Sequence, residues 1–254
     1  MYRSAAGRLI LTAIILVLGL GMPAAQAADG YRLLHLNGQL VKWGAPELGQ
    51  AAAITYAVAD GAVTHAGVRN CRHAGSIVPL LHNSAMSRTA FDSALKSAFA
   101  LWQDAANIRF RAADKGQTPD ILIAAQGTPD GIAYTDVALA GASHDAGAAR
   151  SDTATLKAGI ICLNPKLKWV AGDGARLPAM GKTYALTYAL AHEIGHAIGL
   201  DHPGPTGELM AFRFDGDASL TGLQPGDRRG VIALYGAKPA PAAIAMVRSA
   251  SATP

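Results

Sequence analysis

Three histidines crowd the stretch AHEIGHAIGLDHPGPTGELM, residues 191–210, and one glutamate directly follows the first of them. His192 and His196 are four residues apart. On an α-helix that spacing puts both imidazoles on one face, about one turn apart. Two rings so placed can bind one metal ion. Glu193 is rotated about 100° from His192. It therefore sits beside the ion rather than in the same stripe, where a carboxylate suits a base acting on metal-held water.

His202 lies six residues after His196. A continuous helix would rotate it by about 240° and lift it about 9 Å, pointing it away. The helix must therefore stop between them. Gly199 stands in that gap and can take a positive φ that turns the chain back. Pro203 discourages renewed helix. The spacing makes sense if all three rings meet at one ion. Three neutral imidazoles leave a fourth zinc position open, the mark of a catalytic rather than a structural site. A set without thiolate fits zinc best, with cobalt or manganese as substitutes in vitro. A bare His-Glu-x-x-His can arise by chance on an exposed helix. The full pattern fixes five positions over eleven residues and favours the metal.

Elements that could position these residues are readable along the chain. LVKWG is followed by AAAITYAVAD, where Ile54, Tyr56 and Val58 alternate as in a strand. A loop is expected from Gly61 to about Met86. Ser87 can cap a helix over SRTAFDSALKSAFALWQDAAN, with Phe91, Leu95, Ala98, Trp102 and Ala105 on its inner face. IRF, ILIAAQ, GIAYTDV and AGIICLN are strand candidates, and apolar ILIAAQ is expected to be central. GKTYALTYALAHEIGHAIGL carries the longest helix signal of the mature chain. LQPGDRRGVIALYG reads as a closing helix ended by Gly236. The alanine- and proline-rich tail, residues 237–254, shows no period and reads as a mobile end.

The chain's 254 residues, half of them hydrophobic, allow one sizeable core and too little for several full domains. Arg3, Arg8, the apolar run from Leu9 to Leu20 and small residues at Ala25 and Ala27 form the pattern of a signal peptide cleaved after Ala27. The run is short for a membrane span, the alternative being an uncleaved membrane anchor. The mature protein is therefore expected to be exported, to the periplasm or the outside, without stable membrane insertion. Its 20 basic and 18 acidic residues leave a formal +2, and no basic tract argues for nucleic acid. Cys71 and Cys162 are the only cysteines. In an exported protein they read as a disulfide, or alternatively as two separate thiols with Cys162 buried.

HEIGHAIGLDH followed by ELM resembles the extended zinc motif and Met-turn of the metzincin metallopeptidases. The short link from His202 to Met210 is most similar to matrixins. LVKWG…ITYAV, AFDSALKSAFALWQDAANIRF and TPDILIA follow the strand–helix–strand order of a matrixin catalytic domain, so the resemblance covers roughly Leu40 to Gly236. It implies an α+β metzincin-like fold: a twisted mixed sheet, long helices and a small C-terminal subdomain, with the domain spanning residues 28–236. It implies His192, His196 and His202 as ligands of one catalytic Zn2+, Glu193 as general base, and Met210 as an apolar floor. It further implies a monomer acting on an extended protein or peptide substrate, paired to an edge strand for which Gly131, Ile132, Ala133 and Tyr134 are the candidates. The segment AFRFDGD would wall the main specificity pocket.

Some features depart from the family. Pro203 is more like serralysins, but the longer Met-turn link and calcium-repeat domain of that group are not seen. No aspartate-and-histidine set marks a second, structural zinc; His65, His73, His82 and His144 read as scattered surface residues. Calcium sites are left open. Cys71 follows the first catalytic strand, whereas the family's inhibitory cysteine precedes it, so no built-in zymogen lock is expected. The alternatives are a zinc-binding module without catalysis, or a zinc hydrolase of a non-protein amide such as cell-wall material.

Overall fold

A computed structural model describes residues 30–64, 68–140, 152–172, 183–213 and 222–240. The signal-peptide pattern, His65, His144, residues 214–217 of the expected pocket wall and most of the tail lie outside them. The frame is a mixed sheet with α-helices packed against it. Its main strands are β1 (Gln39–Lys42), β2 (Ala52–Val58), β3 (Ile108–Ala112), β4 (Ile121–Gln126), β5 (Ala133–Leu139) and β6 (Thr153–Leu163). The helices are α1 (Val78–Asn83), α2 (Arg88–Ala105), α3 (Leu186–Ala197) and α4 (Pro225–Tyr235).

Strands β3, β2, β4 and β6 lie side by side and parallel. β4 is interior, as its apolar sequence requires: a strand covered on both faces has no polar side to show. β1 runs parallel to the first residues of β6, with Leu40 opposite Thr153. β5 pairs antiparallel with β6 and forms an edge of the sheet.

α2 forms where periodicity predicts it. Ser87 caps it by accepting from the Ala90 N–H at 3.1 Å, and Phe91, Leu95, Ala98, Trp102 and Ala105 are buried. Its inner face packs on α3, and both share one core with the sheet. α4 begins with a capping box between Gln224 and Asp227 and is followed by Gly236 at φ +78°.

Three expectations are corrected. The segment before the zinc-motif helix is not helical: Thr183–Ala185 is extended and pairs in parallel with Lys168–Val170, so α3 starts at Leu186. Its apolar residues suit either state, and the neighbouring strand decides. The expected loop from Gly61 to Met86 contains the paired strands Val63–Thr64 and His73–Gly75 and the helix α1. The start of the expected tail is held, because Ala237 bridges to Ala106 and Lys238 Nζ donates to Asp104 at 2.7 Å.

Candidate active site

α3 carries His192, Glu193 and His196, and its abrupt end lets His202 return. Gly199 has φ +103°, and a Cβ there would overlap the Val41 carbonyl oxygen, so only glycine fits. Stopping a helix leaves its last carbonyls without intrahelical partners. Here side chains supply them. Trp43 Nε1 donates to Ala197 O at 2.7 Å, and the Tyr235 hydroxyl donates to Ile198 O at 2.7 Å. Beyond the turn, Leu200–Asp201 pairs antiparallel with Arg32–Leu33. Asp201 then accepts from Arg32 Nε at 3.1 Å and from the His202 N–H at 2.8 Å. An N-terminal strand thus clamps the segment that delivers the third ring.

The Nε2 atoms of His192, His196 and His202 lie 3.0, 3.1 and 3.2 Å from one another. Nitrogens bound to one tetrahedral zinc ion would stand about 3.3 Å apart. His192 Nδ1 donates to Leu209 O at 2.7 Å, and His196 Nδ1 donates to Leu200 O at 2.9 Å. With those protons on Nδ1, both Nε2 atoms turn lone pairs inward, the tautomer a metal ligand needs. Lone pairs this close repel unless a cation sits among them, so the donor set fits zinc. Burial pushes all three imidazoles toward neutrality; His196, which also feels His192 and His202, is pushed down to about 3. This is the one cluster of three potential ligands among the described residues. His73 and His82 do not join it.

Glu193 is buried at 8% exposure. Burial raises its carboxyl to about 7, against the hydrogen bond from Thr135. Thr135 Oγ1 lies 2.7 Å from Glu193 Oε2 and 3.0 Å from its backbone oxygen. Glu193 and the three histidines line a cavity of about 510 Å³. Its lining also includes residues 131–135, Val137, Tyr184, Tyr188 and Phe212. Of the four edge-strand candidates, Ala133 and Tyr134 lie in β5, whereas Gly131 and Ile132 precede it. Asn164 takes both of their carbonyls, donating to Gly131 O from Nδ2 at 2.8 Å and to Ile132 O from its backbone at 3.0 Å. All four line the cavity, and the paired strand begins at Ala133.

Met210 is buried, its sulfur against Gly195 of α3, the residue before His196. The turn that carries it is anchored by Asp227, a residue sequence reading treats only as part of a helix. Asp227 accepts from the N–H groups of Leu209 at 2.8 Å, Met210 at 3.1 Å and Gln224 at 2.8 Å. Burial raises its carboxyl to about 6, opposed by those donors. Its position as third residue of α4 was the available signal. Thr135 offered none, because a lone threonine in a strand is ordinary.

Cys71 and Cys162 form a disulfide, so Cys71 offers no thiolate to a metal. Cys162 stands opposite Tyr134 in the β5–β6 ladder. Next to the bridge, the Asn70 and Cys71 N–H groups donate to Asp136 Oδ2 at 2.8 and 2.7 Å. The loop is thereby tied to the outer face of β5.

No curated protein matches this chain. The matrixin peptidase family model matches residues 77–236, well over half of it, including α3, the turn at Gly199 and α4. With its three histidines gathered as zinc ligands require, the chain belongs to the matrixins, a family of zinc metalloendopeptidases.

Proposed function

We propose that the protein is exported and cleaves peptide bonds within proteins, with Glu193 as general base and His192, His196 and His202 as the zinc ligands. The observation that carries this reading is the buried Glu193 carboxylate beside three converging imidazole nitrogens in one cavity. Zinc supplies Lewis acidity toward water and the scissile carbonyl. Glu193 takes a proton from the attacking water as the carbon–oxygen bond forms. It then gives that proton to the leaving nitrogen as the carbon–nitrogen bond breaks. Its burial weakens the bare carboxylate's solvation, which favours its taking up a proton. β5 would align an extended substrate through backbone pairing, with Ala211 and Phe212 walling the cavity beyond Met210.

Export is supported by the signal-peptide pattern ending at Ala27 and by the disulfide, a bond that persists in oxidising compartments. No described helix is long and apolar enough to cross a membrane. The protein would act as a monomer on protein or peptide chains, not on nucleic acid.

The test compares the mature protein with Glu193→Ala on a mixed peptide library, reading cleavage by mass spectrometry and zinc content in parallel. Zinc in both and cleavage by the parent alone is the expected result. Zinc in both and cleavage in neither would overturn the peptidase reading in favour of a binding module or a non-peptide amide.

A further inference from the structure

β5 alternates its side chains between two faces. Asp136 points toward the Cys71 loop, and Tyr134 packs against the Cys71–Cys162 cluster. Thr135 points the other way, down onto α3, where its hydroxyl meets Glu193. Among the described residues, no other side chain is hydrogen-bonded to that carboxylate. Thr135 also occupies a defined register, opposite Ile161. Its hydroxyl is therefore carried by a strand paired along its length to β6, not by a loop.

A carboxylate on a helix can rotate about its side-chain torsions, and its two oxygens are chemically equivalent until something distinguishes them. Thr135 does so. A hydroxyl has one proton to give, and at 2.7 Å from Oε2 it engages that oxygen. Oε1 is left as the oxygen that exchanges protons with the reacting groups. We propose that Thr135 is a positioning residue for the general base: it fixes the orientation of the Glu193 carboxylate and reserves Oε1 for proton transfer. This rests on the assignment of Glu193 as base. It has a further consequence for substrate use. The strand that lines the cavity beside the substrate also holds the base, so seating the substrate and aiming the carboxylate depend on the same backbone.

A merely structural role is the competing account, because Thr135 Oγ1 also lies 3.0 Å from the Glu193 backbone oxygen and could simply tie strand to helix. The two accounts differ in what they move. Losing an orienting hydrogen bond slows the chemical step without weakening substrate binding. Losing a strand–helix tie shifts β5, which raises KM and lowers thermal stability.

The experiment measures kcat, KM, zinc content and Tm for the full protein, Thr135→Val, Thr135→Ser and Glu193→Gln on one peptide found by the library screen. Thr135→Val keeps the shape and removes the hydroxyl; Thr135→Ser restores it. The expected result is a fall in kcat of about tenfold or more in Thr135→Val, the loss of one well-aimed hydrogen bond. KM and zinc content stay unchanged, and Thr135→Ser recovers to within about twofold of the parent. Thr135→Ala carries the same comparison should the valine variant not fold. A kcat within about twofold of the parent in the hydroxyl-less variant overturns the proposal. So does a raised KM with lowered Tm that serine does not rescue. Full activity in Glu193→Gln would instead defeat the assignment of the base itself, so the two failures are distinguishable.

Discussion

The sulfur of Met210 occupies the place where a side chain on residue 195 would begin. A Cβ at Gly195 would overlap that sulfur and would stand 2.9 Å from Trp102 Cζ2. The glycine within the histidine motif is therefore required by close packing in mid-helix, not by an unusual backbone angle. α3 has Met210 on this side and the Trp102 indole, which donates to Ala191 O at 2.9 Å, beside it.

Gly195→Ala sets two effects against each other. Alanine gains about 1 kcal/mol of helix propensity. Overpacking a buried site costs about 1–3 kcal/mol. Methionine is flexible, but the Trp102 ring, held by its bond to Ala191 O, cannot withdraw freely, so packing wins. Calorimetry should show Tm lowered by roughly 2–4 °C, and pairing the change with Met210→Ala should recover part of it. An unchanged or raised Tm in the single variant contradicts this account.

Asp227 acts on the metal through the turn it holds. Its carboxylate binds the Leu209 and Met210 N–H groups, and the Leu209 carbonyl in turn accepts from His192 Nδ1. Asp227→Asn places an amide donor against backbone donors and lets that carbonyl drift. Partners of this kind typically affect metal affinity by about 10–100-fold when changed. Competition against a chromogenic chelator should show a loss in that range. Unaltered zinc affinity would falsify the link.

The bridge between Cys71 and Cys162 closes a separation of 91 residues. In the loop-entropy model that contributes about 4–5 kcal/mol. Replacing both cysteines by serine should lower the urea midpoint accordingly. It should also raise KM more than it lowers kcat, because Asp136 then loses the loop that braces β5 from outside. The same urea midpoint with the bridge reduced and intact would argue against it.

Stability of the metal-free protein should depend on pH through Glu193. Its carboxyl stands at about 7 when folded against an ordinary value of 4.5. The fold thus favours the protonated form. The stabilisation is complete below about 4.5 and is lost as pH rises toward about 7, a change of about 3 kcal/mol. The buried histidines act in the opposite sense, being lowered, and weaken the fold as pH falls below about 6.5. Subtracting the Glu193→Gln profile removes their share. The difference in unfolding free energy should shrink by about 3 kcal/mol across that window; a difference independent of pH would mean the carboxyl is not held protonated.

Local pattern made much of this readable in the sequence. The spacing of His192, His196, Gly199 and His202 requires a helix, a break and a return, and the structure has all three. Ser87 and the inner face of α2 are equally local signals. What escaped depends on contacts distant in sequence. Arg32–Leu33 is a strand because Leu200–Asp201 lies beside it. Thr183–Ala185 leaves the helix because Lys168–Val170 is there to pair with. Trp43, Tyr235 and Thr135 matter through hydrogen bonds to α3 or the residue that ends it, which no periodicity records.

All three rings that could hold zinc belong to one stretch of chain, His192 to His202, folded back at the turn at Gly199. Such a segment can chelate the ion before the sheet exists, since little chain has to be brought together. Affinity for the unfolded chain subtracts from the stabilisation that a ligand of the native state confers. Zinc is then expected to raise the melting temperature by less than its native affinity alone dictates.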